Sequence, residues 1–277
     1  MTPDQYCQQK AAASGSSFYY SFLFLPPERR RAITALYAFC REVDDVVDET
    51  QETQIAAAKL AWWRAELANL FAGNPQHPVT RALHPHLAAF GITGERLNAI
   101  IDGMEMDLTQ TRYLDWTGLE RYCYHVASVV GLLAAGIFGY RDARTLDYAR
   151  ELGIAFQLTN IIRDVGEDAR MNRIYLPMDE LKSFGVPAAD ILQRRETPEF
   201  ARLMQFQAQR AKGHYSNAMS ALPASDRKAQ RPGLIMAAIY STLLGEIERD
   251  GFHVLTRRTS LTPLRKFWIA WKTWVTA

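Results

Sequence analysis

Two acidic stripes, far apart in the chain, constrain this sequence more than any other feature. The first reads Arg41-Glu42-Val43-Asp44-Asp45-Val46-Val47-Asp48, and the second Gln157-Leu158-Thr159-Asn160-Ile161-Ile162-Arg163-Asp164-Val165-Gly166-Glu167-Asp168. Both lie among apolar residues that recur at helical spacing. On a helix, Asp44 and Asp48 stand one turn apart on one face, as do Asp164 and Asp168, and Asn160 and Gln157 continue the second stripe backward. Like charges at this spacing destabilise a helix by roughly 0.2–0.5 kcal/mol per pair. Arg41 to Asp48 carries one positive against four negative side chains, and Arg163 to Asp168 one against three. Such a concentration facing a shared cavity calls for cations. Hard oxygen donors without Cys or His point to magnesium, which takes one or two carboxylates and completes its shell with water and phosphate.

The remaining sequence narrows the alternatives. A formal charge of +2 over 277 residues gives no case for nucleic-acid binding. The three cysteines form no CxxC, and no Glu-x-x-His occurs, which argues against zinc and di-iron carboxylate sites. His84-Pro85-His86 carries a proline between its histidines and reads as a loop. The polar start lacks the order of a signal peptide, and the apolar run Val126 to Tyr140 is short and Gly-rich for a membrane span. The expectation is a reduced, cytoplasmic protein.

Helical periodicity extends through nearly the whole chain. It predicts helices from Pro26 to Asp48, Gln54 to Phe71, Thr93 to Asp107, Asp115 to Phe138 and Asp142 to Val165. A basic loop is expected from Gly166 to Tyr175, then helices from Pro198 to Ala221, Pro232 to Asp250 and Pro263 to Val275. No alternating run suggests a sheet, and no linker divides the chain. A single all-α domain over 1–277 is the economical reading, with the acidic helices facing each other across a cavity.

At these motifs the chain resembles the squalene/phytoene synthase family. The resemblance rests on Asp44-x-x-x-Asp48, the Gln157 to Asp168 block, and Arg173-Ile174-Tyr175-Leu176-Pro177. It also rests on Ser16-Ser17-Phe18-Tyr19-Tyr20 with Leu25-Pro26, and on Tyr122-Cys123-Tyr124-His125-Val126-Ala127 with Gly131. It implies an all-α isoprenoid-synthase fold and head-to-head condensation of two prenyl diphosphates. Carried over by position, Asp44, Asp48, Asn160, Asp164 and Asp168 would hold magnesium. Ser17, Arg41 and Arg163 would grip diphosphate, with Phe18 nearby and Tyr240 and Arg257 as further contacts. Tyr37 and Gln157 would line the reacting centre, and Tyr122 would sit beside the cation. Core packing with a satisfied hydroxyl is the plainer account of any one tyrosine. The small-residue segment around Val126 offers either a channel for a prenyl tail or close helix packing.

Within the family, the Ala11 to Phe22 and Cys40 to Glu49 blocks most resemble bacterial presqualene diphosphate synthases of hopanoid pathways. The expectation is therefore that two farnesyl diphosphates give presqualene diphosphate and pyrophosphate without NADPH, with downstream isoprenoid enzymes as partners. Phytoene synthase acting on geranylgeranyl diphosphate and dehydrosqualene synthase are the alternatives. Head-to-tail elongation resembles DDxxD blocks on both helices, whereas here the second is Asn160-x-x-x-Asp164-x-x-x-Asp168. A non-catalytic scaffold of the same fold could lose its acidic residues, yet all four are present. The tail, about 262–277, places Phe267, Trp268, Trp271, Trp274 and Val275 on one helical face opposite Arg265, Lys266 and Lys272. Such a face suits either a membrane interface or the protein's own core.

Overall fold

Prolines and polar caps set where most helices begin. The structure, a computed structural model, describes residues 1–13, 21–22, 24–50 and 52–276. The α-helices longer than four residues are α1 (Pro3–Ala13), α2 (Pro27–Glu49), α3 (Thr53–Phe71), α4 (Pro78–Leu83), α5 (Gly94–Thr109), α6 (Trp116–Cys123) and α7 (Val129–Phe138). They continue as α8 (Arg144–Arg170), α9 (Met178–Phe184), α10 (Ala188–Leu192), α11 (Pro198–Ala221), α12 (Arg231–Arg249) and α13 (Pro263–Thr276). Thr93, Asp115 and Thr197 cap α5, α6 and α11, each side chain accepting a first-turn amide hydrogen bond. Among the described residues no strand forms, and one isolated bridge joins Arg112 to Ile174. The architecture of the described residues is all-α, as the periodicity predicts.

Two differences from the expected elements bear on function. The stretch from Gly166 does not begin a loop: α8 continues to Arg170, so Asp164 and Asp168 share one helix. The chain returning after α12 packs against this turn, where the Gly166 amide lies 3.2 Å from the Val254 carbonyl. That tertiary support carries the helix through a charged sequence with little apolar periodicity. Between α6 and α7, Tyr124–Ser128 forms a π-turn, with the Val129 amide reaching back to the Tyr124 carbonyl. Such turns accumulate at functional sites.

The apolar side chains form two clusters. One gathers around α8, α11 and α12; the other gathers around α2, α3, α5 and α7. Val126 in the π-turn packs against both. The contact between the π-turn and α8 is close enough to need glycine: a Cβ on Gly153 would lie 2.6 Å from the Ser128 α-carbon. The continuous segment Trp116–Phe138 has the length and hydropathy of a membrane span, yet it packs on α8 within the fold. Buried Asp226 ties the start of α8 to a distant turn, accepting bonds from the Arg141 and Asp142 amides and the Thr145 hydroxyl at 2.8–3.0 Å.

Candidate active site

A cavity of about 520 Å³ lies between the two clusters, and both acidic stripes open into it. Asp44 and Asp48 enter from the last turns of α2, Asp164 and Asp168 from the last turns of α8. The other two acids of the first stripe face away: Glu42 and Asp45 pair with Lys10 of α1 at 3.1 and 2.7 Å. Helical spacing therefore sorts the stripe into a structural pair and a cavity pair.

The cavity carboxylates are unequal. Burial and the facing Asp48 charge push Asp44 up to about 7, although Arg41 stands 2.5 Å away. Burial and the Asp164 charge push Asp168 up to about 8. Burial would raise Asp164 too, but its bonds to Arg163 and Arg258 prevail and hold it below the usual carboxylate range. Arg163 is 2.5 Å and Arg258 2.8 Å from its oxygens. Arg173 stands between the banks, 3.7 Å from Asp48, and its charge is felt by Asp107 and Asp168.

Among the described residues six carboxylates, counting Asp107 and Glu167, and four arginines line this space. The arrangement is short of positive charge. The buried Asn160 Oδ1 has no hydrogen-bond partner among the described residues. An unsatisfied oxygen beside repelling carboxylates fits a hard divalent cation. No three Asp, Glu, His or Cys side chains among the described residues form a metal cage by themselves.

Tyr37, Arg41, Tyr122, Val126, Gln157, Arg163 and Tyr240 all line the cavity. Tyr240 sits beside the Arg163 guanidinium. Ser17 and Phe18 lie outside the described residues. Arg257 is not at the site: its exposed side chain pairs with Asp250, and the neighbouring Arg258 points to the acidic bank instead. The segment after α12 has no helical periodicity, so sequence spacing could not tell these two arginines apart.

Asp107 is the main residue that the motifs missed. It is buried at the end of α5 and accepts hydrogen bonds from Tyr122 and Tyr175, each at 2.8 Å. Burial raises its pKa to about 6 against the lowering effect of those hydroxyls. Tyr113, Tyr122 and Tyr175 pack around it with ring centroids 5.3–5.8 Å apart. Burial and the Asp107 charge push the Tyr122 phenol well above its ordinary value, so it remains a phenol. Cys40 also lines the space, but burial raises its thiol to about 12, which makes it a poor nucleophile.

Away from the acids the lining becomes apolar and small, with Ala127, Val130, Ala134 and Ala135 from the π-turn and α7. The close-packing reading of this segment is seen in its glycines. Gly131 meets the Ala149 carbonyl of α8 and Gly136 the Phe90 carbonyl, while Ala127, Ala134 and Ala135 line the cavity.

The family profile described as squalene/phytoene synthase matches residues 11–265. A chloroplastic phytoene synthase of an Oncidium hybrid cultivar is 36% identical over 266 residues, covering 94% of this chain and 65% of that enzyme. The chain thus spans just under two thirds of that relative. The phytoene synthase of Arthrospira platensis is 35% identical over 273 residues, covering 94% of this chain and 88% of that protein. A crystal structure of a dehydrosqualene synthase superposes with a TM-score of 0.87 at 28% identity, covering 99% of this chain and 96% of that one. A squalene synthase from Alicyclobacillus acidocaldarius does so at 0.81 and 29%, covering 90% and 94%.

Proposed function

The chain belongs to the squalene/phytoene synthase family, and on that premise we propose that it condenses two prenyl diphosphates head to head with release of pyrophosphate. The observation that carries this reading is the meeting of both aspartate pairs at one end of a cavity whose other end is apolar. Asp44, Asp48, Asn160, Asp164 and Asp168 would hold magnesium, which when bound neutralises the diphosphate and makes it a better leaving group. Arg41, Arg163, Arg173 and Arg258 grip phosphate oxygens from the surrounding elements. Gln157 and Tyr37 border the point where the diphosphate end meets the apolar channel. The alanine-lined walls keep water from the allylic cation.

Tyr122 stands at the same level with its proton directed to Asp107. Its oxygen takes a proton from the substrate cation as its own proton passes to Asp107, leaving a phenol and a neutral acid. The raised pKa of Asp107 makes it a competent recipient.

The relatives favour phytoene synthesis from geranylgeranyl diphosphate over presqualene diphosphate from farnesyl diphosphate. The likeness to the squalene and dehydrosqualene synthase structures supports the C15 substrate as the second reading. Incubation with each diphosphate and magnesium, without NADPH, followed by product identification, decides between them. Phytoene from the C20 substrate is the expected result; consumption of the C15 substrate alone reverses the preference, and consumption of neither ends the enzymatic reading.

Contact with an anionic membrane through α13 belongs to the same proposal. Ala270 and Trp274 dock this helix on the protein, Trp274 stacking on Phe24 with centroids 5.0 Å apart. Trp274 is thereby parted from the other aromatic residues that spacing places on its face. Leu264, Phe267, Trp268, Trp271 and Val275 stay exposed on a helix with three basic and no acidic residues. Replacing Trp268 and Trp271 together by alanine should weaken sedimentation with anionic vesicles at least about tenfold. Unchanged binding would remove the membrane contact.

A further inference from the structure

The far end of the cavity is built by residues remote from the acids on four separate helices. Along α2, Ile33 lies about 16 Å before Asp44; along α8, Tyr148 lies about 24 Å before Asp164. Phe138 stands about 24 Å beyond Tyr122, and Gly233 about 10 Å before Tyr240. All four far-end residues line the same cavity. The polar and apolar ends are therefore set apart by helix register alone.

Among the described residues Tyr148 is the largest fully buried side chain, 1% exposed. Its α8 neighbour Ala149 and the lining residues Ala134 and Ala135 are small, so the Tyr148 ring, with Phe138, supplies the aromatic bulk at this end. The ring is admitted by Gly233 at the start of α12: a Cβ there would lie 2.5 Å from the Tyr148 hydroxyl. That hydroxyl has no hydrogen-bond partner among the described residues. No protein hydrogen bond therefore holds the ring in place, and its position is set by packing against Gly233.

We propose that the Tyr148 ring, seated against Gly233, is the floor that limits the length of prenyl chain the cavity accepts. The inference rests on the proposed condensation and adds to it a residue that selects among C15, C20 and longer chains. Shortening the side chain opens space toward the start of α12, and a substrate one isoprene unit longer then fits with its diphosphate still at the aspartates. A methylene in an apolar pocket changes discrimination by roughly 10- to 200-fold, so five carbons give a readable effect.

The test measures kcat/KM for the C15, C20 and C25 all-trans prenyl diphosphates in the wild-type chain, Tyr148→Ala, Tyr148→Leu and Tyr148→Phe, with thermal melts as the folding control. The ratio of longer to shorter substrate should rise at least about tenfold in Tyr148→Ala. Tyr148→Leu should move it in the same direction, and it stands in if the alanine variant does not fold. Tyr148→Phe should keep the wild-type ratio, which a role for the hydroxyl would not allow. A folded alanine or leucine variant within about twofold of the wild-type ratio overturns the floor. So does a phenylalanine variant that shifts as far as the alanine one. A wild-type chain that consumes none of the three substrates instead refutes the condensation itself, and the inference with it.

Discussion

Changing Asp168 to asparagine is expected to slow pyrophosphate release by about a hundred- to a thousandfold, the usual cost of deleting one group that stabilises transition-state charge. The same change should leave the melting temperature of the protein unchanged or higher. Asp168 is held with its charge disfavoured by burial and by Asp164, so neutralising it removes a repulsion. Asp164→Asn should lose turnover to a similar degree but also destabilise the fold by about 1–3 kcal/mol. The difference arises because Asp164 is the partner of the half-buried Arg163 and of Arg258. A coupled pyrophosphate assay and thermal melts of both variants check the pair. Equal stability loss in both would show that the two carboxylates do not divide the work in this way.

Asp107 supplies the second large effect. Its two oxygens each accept one tyrosine hydroxyl, and asparagine offers only one oxygen. Asp107→Asn should therefore leave one phenol poorly satisfied, cost about 1–3 kcal/mol of stability, and lower turnover about a hundredfold by displacing Tyr122. Tyr175→Phe separates the roles, because it releases one oxygen of Asp107 while leaving the Tyr122 bond. Its rate should fall less than that of the Asp107 variant. Equal rates in both would place the effect in Tyr175 and not in the Tyr122 contact.

The aspartates were legible because helix periodicity turns a spacing of four into a shared face, and α2 and α8 obey it. What the spacing could not give was which acids face the cavity. Glu42 and Asp45 look equivalent to Asp44 until Lys10 on α1 claims them. Asp107 was hidden for a related reason: a single acid at a helix end carries no pattern, and its partners come from α6 and from the segment after α8. Arg258 lies in an irregular stretch where neighbouring positions cannot be ranked by periodicity. The end of α8 was misplaced because its last turns are supported by packing at Val254 and not by local sequence. Trp274 shows the same limit in the tail, where spacing groups it with Phe267, Trp268 and Trp271 and only docking decides which of them is inside.

Calorimetric titration with inorganic pyrophosphate, with and without magnesium, tests the central claim most directly. Two aspartate banks forming one cation-dependent site predict binding that requires magnesium and weakens at least about tenfold in both Asp48→Asn and Asp168→Asn. Binding that ignores magnesium, or that survives intact when either bank is altered, would contradict the account.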